Sequence, residues 1–138
     1  MTAYTKVYTL DTNIITYLLK GDKTIAENYI AAIKDGIDIT ISPVVYYEIK
    51  RGLSAVNASK KICSFEKLYA QCENADFDIR VWDKAAEIYV DLRKKGRPIG
   101  DADILIAAYC LVNDYTLVTN NEAHFQYVNG LKLVNWVK

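Results

Sequence analysis

Short apolar runs alternate with longer amphipathic stretches along the chain, and this alternation constrains the fold more than any other feature. The runs have the length and residue content of strands, and lie at 7–10, 37–41, 75–79, 116–119 and 131–134. Between them, apolar residues recur with helical spacing, as Ile25, Tyr29 and Ile33 do. Short strands separated by helices predict a three-layer α/β/α fold with a mostly parallel sheet of about five strands.

Two of the predicted helices bear on function. The stretch from Asp101 to Asn113 is apolar on most sides, which predicts a central helix. An apolar stripe that includes Trp82, Tyr89 and Leu92 predicts a helix before it, with Tyr89 in the core.

The length and composition are those of one globular domain. The chain has 138 residues, of which 51% are hydrophobic, and it contains no repeat, low-complexity tract or linker. A domain usually has about 100 to 200 residues. We therefore expect a single domain over residues 1–138 and exclude a disordered chain.

The charges of the chain balance. Lys and Arg together number 17, as do Asp and Glu, so the formal net charge is zero. Non-specific binding of nucleic acid depends on a surplus of positive charge. The balance therefore excludes a protein that holds nucleic acid through bulk charge, and any such contact must be local.

Sequence signals for other compartments are missing. The longest apolar run, Ile104 to Val112, is about half the length of a membrane-spanning helix. The N-terminus has no apolar segment typical of a secretory signal, so we expect a cytoplasmic protein. The three cysteines lack paired spacing and predict reduced core thiols, and a single histidine, His124, argues against a zinc site.

Acidic and polar residues lie close to the ends of the predicted strands. Carboxyl ends of parallel strands meet at one edge of a sheet, so we expect these side chains to converge there. They are Asp11, Ser42, Glu48, Asp101, Asp103, Thr119, Asn120 and Asn121.

Carboxylates that converge repel one another and raise their own pKa values unless a cation lies among them. Oxygen ligands without His or Cys select Mg²⁺ or Mn²⁺. Such ions commonly serve phosphoryl transfer or phosphodiester hydrolysis. The pattern therefore predicts a metal-dependent hydrolytic site.

Each acid also has a structural interpretation. Asp11 could cap the helix that follows it, and Glu48 could form a surface pair with Arg51. Asp101 and Asp103 both lie in the first turn of a helix, where the helix dipole stabilises anions. The two asparagines after the strand at 116–119 are also an ordinary turn signal.

Taken in order along nearly the whole chain, these blocks resemble a PIN domain. The order and the compact size are similar, more narrowly, to the VapC-type toxins of toxin–antitoxin pairs. The resemblance rests on Asp11-Thr12-Asn13, on Ser42 with Glu48 six residues on, on Gly100 to Ala108, on Leu117 to Asn121 with Phe125, and on Gly130 to Trp136.

The resemblance implies an endoribonuclease that depends on Mg²⁺ or Mn²⁺. Asp11, Glu48 and Asp103 match the three principal acids of the family, and its fourth acidic position falls on Asn121. The amide carries no charge, which leaves a second metal open. Asp101 could be an additional metal ligand or a helix cap.

Further positions follow from the same resemblance. Thr119, Asn13 and Ser42 match polar positions that orient metal-bound water or ligands. Proteins of this kind form homodimers and are neutralised by a small antitoxin protein, which often places an arginine in the acidic pocket.

Four basic residues directly precede the acidic helix: Arg93, Lys94, Lys95 and Arg97. They could bind the phosphates of an RNA substrate. They could equally be a solvated helix C-terminus, where the helix dipole favours cations.

Three rival functions stay open. A PIN nuclease could act in RNA processing without being a toxin. A haloacid-dehalogenase-like phosphatase needs a second Asp two residues after the first, whereas this chain has Asn13. A non-catalytic α/β module would use the acids as caps and only bind a partner.

Overall fold

Four short strands form a parallel sheet in the computed structural model, which describes residues 5–138. They are β1 (Val7–Leu10), β2 (Asp38–Thr40), β3 (Thr116–Val118) and β4 (Lys132–Val134). The strand order is β2-β1-β3-β4, and each neighbouring pair is parallel. The predicted α/β fold with a parallel sheet is confirmed, with four strands rather than about five.

Helices connect and flank the strands. They are α1 (Thr12–Leu19), α2 (Lys23–Lys34), α3 (Pro43–Ala55), α4 (Ser59–Ala70), α5 (Ile79–Lys94), α6 (Asp101–Asn113) and α7 (Glu122–Phe125). Side chains cap several N-termini: Asp22 accepts from the Ile25 amide, and Ser42 accepts from the Val45 amide. The short helix α7 was not expected from the sequence.

The prediction of a strand at 75–79 is wrong. Residues 75–78 have no regular structure, and α5 begins at Ile79. The Asp78 side chain accepts from the Arg80 amide at 2.9 Å and caps this helix. The Ala75 amide donates to the Tyr109 hydroxyl at 3.2 Å. A side chain therefore satisfies the Ala75 amide, which strand pairing would otherwise use.

The central position predicted for α6 is confirmed. Its residues from Ile106 to Cys110 are fully buried, and the helix packs against α3, α5, α7 and β3. The first turn of α6 lies beside the carboxyl end of the sheet, since its Asp103 lines the same cavity as Asp11.

The core-facing side of α5 differs from the prediction. Val81, Ile88 and Leu92 are buried, whereas Trp82 is 51% exposed and Tyr89 is 45% exposed. This helix carries apolar residues on two faces, so periodicity alone could not select the one that meets α6. The prediction of Tyr89 in the core is wrong.

The three cysteines differ in how deeply they are buried. Cys110 is buried as expected of a core thiol, but Cys63 is exposed and Cys72 is only partly buried.

Between residues 5 and 138, no helix is long and apolar enough to cross a membrane. Residues 1–4, which belong to the N-terminal stretch examined for a secretory signal, lie outside the described residues.

Candidate active site

The two central strands bring Asp11 and Thr119 together. β1 and β3 are neighbours with Leu10 opposite Val118, so the residue after each strand emerges at the same edge. The Asp11 amide donates to the Val118 carbonyl at 2.9 Å. The Thr119 hydroxyl donates to Asp11 Oδ2 at 2.7 Å. This contact joins residues 108 apart in the chain.

Asp11 is almost completely buried, with 5% of its surface exposed. Oδ1 accepts from the Thr12 amide at 2.8 Å, so Asp11 caps α1 as the structural interpretation proposed. Oδ2 accepts from Asn13 Nδ2 at 3.3 Å, in addition to Thr119. Asp11 therefore caps a helix and also belongs to the acidic edge.

Burial is the main cause of a raised pKa at Asp11. The negative charges of Asp103 and Glu48 raise the pKa further, while the hydrogen bonds from Thr119 and Thr12 lower it in part. The repulsion expected from converging acids is present, but desolvation is the larger effect. An ionised Asp11 is therefore costly unless a cation compensates its charge.

Glu48 lies on α3, one and a half turns after the helix begins. Thr12 Oγ1 donates to Glu48 Oε1 at 2.7 Å, which ties α3 to the start of α1. Arg51 Nη2 lies 3.9 Å from Glu48 Oε2 as the pair that helical spacing suggested. Ser42 is fully buried and caps the same helix through the Val45 amide; it thereby sets where Glu48 lies.

Asp103 lies in the first turn of α6, with 24% of its side chain exposed. Its Oδ2 atom is 2.9 Å from Nδ1 of His124. The same Nδ1 atom is 2.9 Å from Nδ2 of Asn121. His124 is not among the site residues predicted from the sequence, although its spacing of three residues from Asn121 could have suggested it.

The acids surround one cavity of about 410 Å³. It is lined by Asp11, Thr12, Asn13, Thr16, Tyr17, Lys20, Glu48, Asp103 and Asn121. Asp101 instead lines a separate cavity beside α5, together with Trp82 and Tyr89. Asp101 is the first residue of α6, and the N-cap residue of this helix is Gly100 rather than Asp101. The structure thus separates two acids that are only two residues apart.

Asn13 and Thr119 also organise the turn that follows β3. Asn13 Oδ1 accepts from the Asn120 amide at 3.1 Å, and Thr119 Oγ1 accepts from the Asn121 amide at 2.9 Å. These contacts hold Asn121 at the cavity wall. Asn13 and Thr119 thus orient backbone amides of this turn and the carboxylate of Asp11.

The predicted basic residues lie at the C-terminal end of α5, and the lining of the acidic cavity comes from other elements. Arg93 and Arg97 lie over the rings of Tyr89 and Tyr127, at 5.3 Å and 4.6 Å. Lys95 Nζ pairs with Asp91 at 2.8 Å and donates to the Tyr127 carbonyl. Lys94 ends the helix.

The donor atoms fit a hard divalent cation that keeps part of its water shell. Within residues 5–138, no three His, Cys, Asp or Glu side chains stand close enough to enclose an ion directly. The carboxylates of Asp11, Glu48 and Asp103 nevertheless line one cavity that is large enough to hold water. Mg²⁺ binds in this way, through few protein carboxylates and several waters.

Fold and site together define an α/β protein with an acidic centre at the carboxyl edge of its parallel sheet. The PIN domain family matches residues 8–131. The chain belongs to this PIN domain family.

Two individual relatives indicate which group within the PIN domain family this chain resembles. The chain is 33% identical over 135 residues to Ribonuclease VapC2 of Rickettsia felis, covering 96% of this chain and 99% of that protein. It is 25% identical over 135 residues to the tRNA(fMet)-specific endonuclease VapC of Shigella flexneri, covering 94% and 97%.

A solved structure has the same fold. A chain in the crystal structure of VapBC2 from Rickettsia felis, bound to a DNA fragment from their promoter, superposes with a TM-score of 0.86. Its sequence identity is 30%, and the match covers 94% of this chain and 98% of that one. The protein therefore belongs to the VapC group of PIN domains.

Proposed function

We propose that the protein is an endoribonuclease that uses Mg²⁺ or Mn²⁺ to hydrolyse RNA phosphodiester bonds, and that it is the toxin of a toxin–antitoxin pair. The observation that carries this proposal is the convergence of Asp11, Glu48 and Asp103 on one cavity. The raised pKa of Asp11 supports it, because a cation would compensate this buried charge. The names of the VapC relatives support ribonuclease activity.

The roles of the site residues follow from their contacts. Asp11, Asp103 and Glu48 would hold the metal, which when bound activates water and neutralises charge on the leaving oxygen. Thr119 and Asn13 hold the carboxylate of Asp11 in place. The neutral Asn121 adds an oxygen donor without charge, and Asp101 contributes only if side chains rearrange.

RNA would reach the cavity across a rim with positive charge. Lys20 lies at the cavity itself and is exposed, so it can contact a phosphate near the metal. Arg93, Lys94, Lys95 and Arg97 would bind phosphates further along the strand. Tyr17 lines the same cavity and can stack on an unpaired base.

A neighbouring groove supports an antitoxin partner. Leu19, Ile49 and Leu53 give this groove between α1 and α3 an apolar lining. Thr12 and Glu48 line both the groove and the acidic cavity. A partner segment with apolar side chains would lie in the groove and place an arginine against the carboxylates.

Replacement of Asp103 tests the activity. We expect Asp103→Ala to lower RNA cleavage at least about 100-fold, since the site loses a charge that holds the metal. Growth arrest on expression should be lost as well. Asp101→Ala is the matched control, because this acid lies two residues away but outside the cavity. Full cleavage by metal-loaded Asp103→Ala would overturn the assignment.

Metal binding separates the enzyme from a partner-binding module. Saturating Mg²⁺ or Mn²⁺ at about 100 times its Kd should stabilise the wild type by about 2.7 kcal/mol, or several degrees in Tm. We expect this shift to vanish in Asp11→Asn. Thermal melting with and without metal measures it. The same melting temperature in both conditions for the wild type would favour the non-catalytic module.

A further inference from the structure

Two of the four arginines of the chain carry a charge that no carboxylate within residues 5–138 balances. Arg51 and Arg80 each pair with a carboxylate, at 3.9 Å and 2.7 Å. Arg93 and Arg97 instead lie over tyrosine rings and are exposed at the C-terminal end of α5. A chain of zero net charge thus keeps two uncompensated guanidinium groups in one short stretch.

Arg97 forms the closer of the two stacked pairs. Its Cζ atom lies 4.6 Å from the centroid of the Tyr127 ring, compared with 5.3 Å between Arg93 and the Tyr89 ring. Tyr127 is 36% exposed. A guanidinium group that lies over a ring keeps its N–H groups in one plane, where they can bind a phosphate. The pair therefore offers a flat surface and a set of directed donors together.

The backbone of Tyr127 is held from two sides. Lys95 Nζ donates to the Tyr127 carbonyl and to Asn129 Oδ1, both at 3.0 Å. Phe125 and Val128 are buried in the core. The ring is therefore carried by a fixed backbone, so the Arg97–Tyr127 platform does not need to be assembled when a ligand binds.

This platform lies on the same side of the chain as the contact between His124 and Asp103. The chain continues beyond α7 in a helical turn, in which the Val128 amide donates to the Phe125 carbonyl at 3.1 Å. Positions three apart lie on one face of a helix, and three residues rise by about 5 Å. Tyr127 therefore follows His124, which contacts Asp103, by about one turn. An RNA strand cleaved at the carboxylates can reach the platform with a nucleotide close to the scissile bond.

We propose that Arg97 and Tyr127 form a subsite for one unpaired nucleotide of the RNA substrate. The base stacks on the platform, and the guanidinium group binds a neighbouring phosphate. Aromatic and guanidinium planes stack on unpaired bases of any sequence, whereas bases inside a duplex already stack on one another. The subsite makes the enzyme prefer RNA that is unpaired beside the bond it cuts. The inference rests on the proposed function, since it concerns RNA brought to the same site.

Fluorescence anisotropy with labelled RNA, at low salt and with a chelator that prevents cleavage, tests the subsite. Two single-stranded oligoribonucleotides of equal length and charge are compared, one with bases and one made of abasic residues. Stacking of one base strengthens binding about tenfold. We expect the wild type to bind the RNA with bases at least this much more tightly. Arg97→Ala and Tyr127→Ala should each lower this ratio at least about fivefold.

Conservative variants separate stacking from charge. Lys94→Ala is the matched control, because it removes one exposed positive charge from the same stretch. It should weaken binding of both RNAs equally and leave their ratio unchanged. Arg97→Lys keeps the charge but loses the plane, so we expect the ratio to fall. Tyr127→Phe keeps the ring and should keep the ratio. Circular dichroism checks that every variant folds.

The outcomes distinguish this subsite from the proposed nuclease. An unchanged ratio in Arg97→Ala and Tyr127→Ala would overturn the subsite, and so would an equal loss of affinity for both RNAs. Cleavage of RNA by the wild type with Mg²⁺ or Mn²⁺ would then still support the nuclease. If the wild type neither binds nor cleaves RNA, the proposed function and the subsite both fail.

Discussion

At the scale of single residues, Asp11 shows how a structural and a chemical role share one side chain. One carboxylate oxygen caps α1 through the Thr12 amide, and the other faces Thr119 and Asn13. The cap keeps the side chain in one orientation, and burial keeps water away from it. Under the proposed function, the same contacts that stabilise the helix would prepare a charge for a cation.

The buried carboxylate makes stability depend on pH when divalent ions are removed with a chelator. The pKa of Asp11 is raised above its usual value of 3.8, so the folded state holds this proton more tightly than the unfolded state. The free energy of unfolding therefore falls as the pH rises from 3.8 through the raised pKa. An asparagine at position 11 does not titrate, so it contributes no such pH dependence to the free energy of unfolding.

We expect Asp11→Asn to gain stability over the wild type as the pH rises from about 4 through the raised pKa of Asp11. Urea unfolding at several pH values in the presence of a chelator measures the difference. Asp101→Asn, which changes an exposed acid, should show no comparable trend. A difference that widens in favour of the wild type would contradict the raised pKa.

At the scale of elements, α3 determines the position of Glu48. The helix starts at Pro43 after a capping serine, and Glu48 follows at a fixed distance along it. Thr12 then links the carboxylate to α1. The position of this acid therefore depends on where the helix begins.

We expect Ser42→Ala to lower the free energy of unfolding by about 1 kcal/mol, because the Val45 amide loses its cap. Cleavage should be largely retained at a temperature where the variant stays folded, since Pro43 still favours the same helix start. Chemical unfolding and an RNA cleavage assay measure the two effects. Ser64→Ala, on the exposed side of α4, is the control. A loss of cleavage without loss of stability would indicate a direct role in the site.

Most elements could be predicted from local patterns, and the exceptions have physical causes. β1 and α6 have the predicted bounds, because a short β-branched run and a first-turn acid are local signals. The segment at 75–79 alternates like a strand, but its Asp78 caps a helix instead. Alternation alone does not distinguish a paired strand from an extended connection that distant side chains hold in place.

At the scale of the whole molecule, α5 presents an apolar face to the solvent. Trp82, Tyr89 and Ile79 lie on one side of the helix, and their exposures run from 45% to 70%. Contiguous exposed apolar surface of this kind often marks an interface. For the homodimer that the resemblance implies, we therefore expect α5 of each copy to lie at the contact.

We expect the protein to be a dimer in solution and Trp82→Glu to shift it toward the monomer, because a buried charge at the interface has no partner. Sedimentation equilibrium over a range of concentrations measures the shift in Kd, which we expect to exceed tenfold, or about 1.4 kcal/mol. Val56→Glu alters an even more exposed apolar residue, directly after α3, and is the control. A wild-type monomer at all concentrations would contradict the dimer.

The amino-acid sequence alone was sufficient to predict an α/β fold and to place Asp11, Glu48 and Asp103 together at the carboxyl edge of its sheet, because strand, cap and helix signals depend on near neighbours. Folding of the chain was needed to separate Asp101 from Asp103, to bring His124 against Asp103 and to choose the buried face of α5. These features depend on contacts between residues far apart in the chain, such as Asp103 and His124, which are 21 positions apart. Local periodicity carries no information on such packing, since it constrains the direction of a side chain but not what lies opposite it.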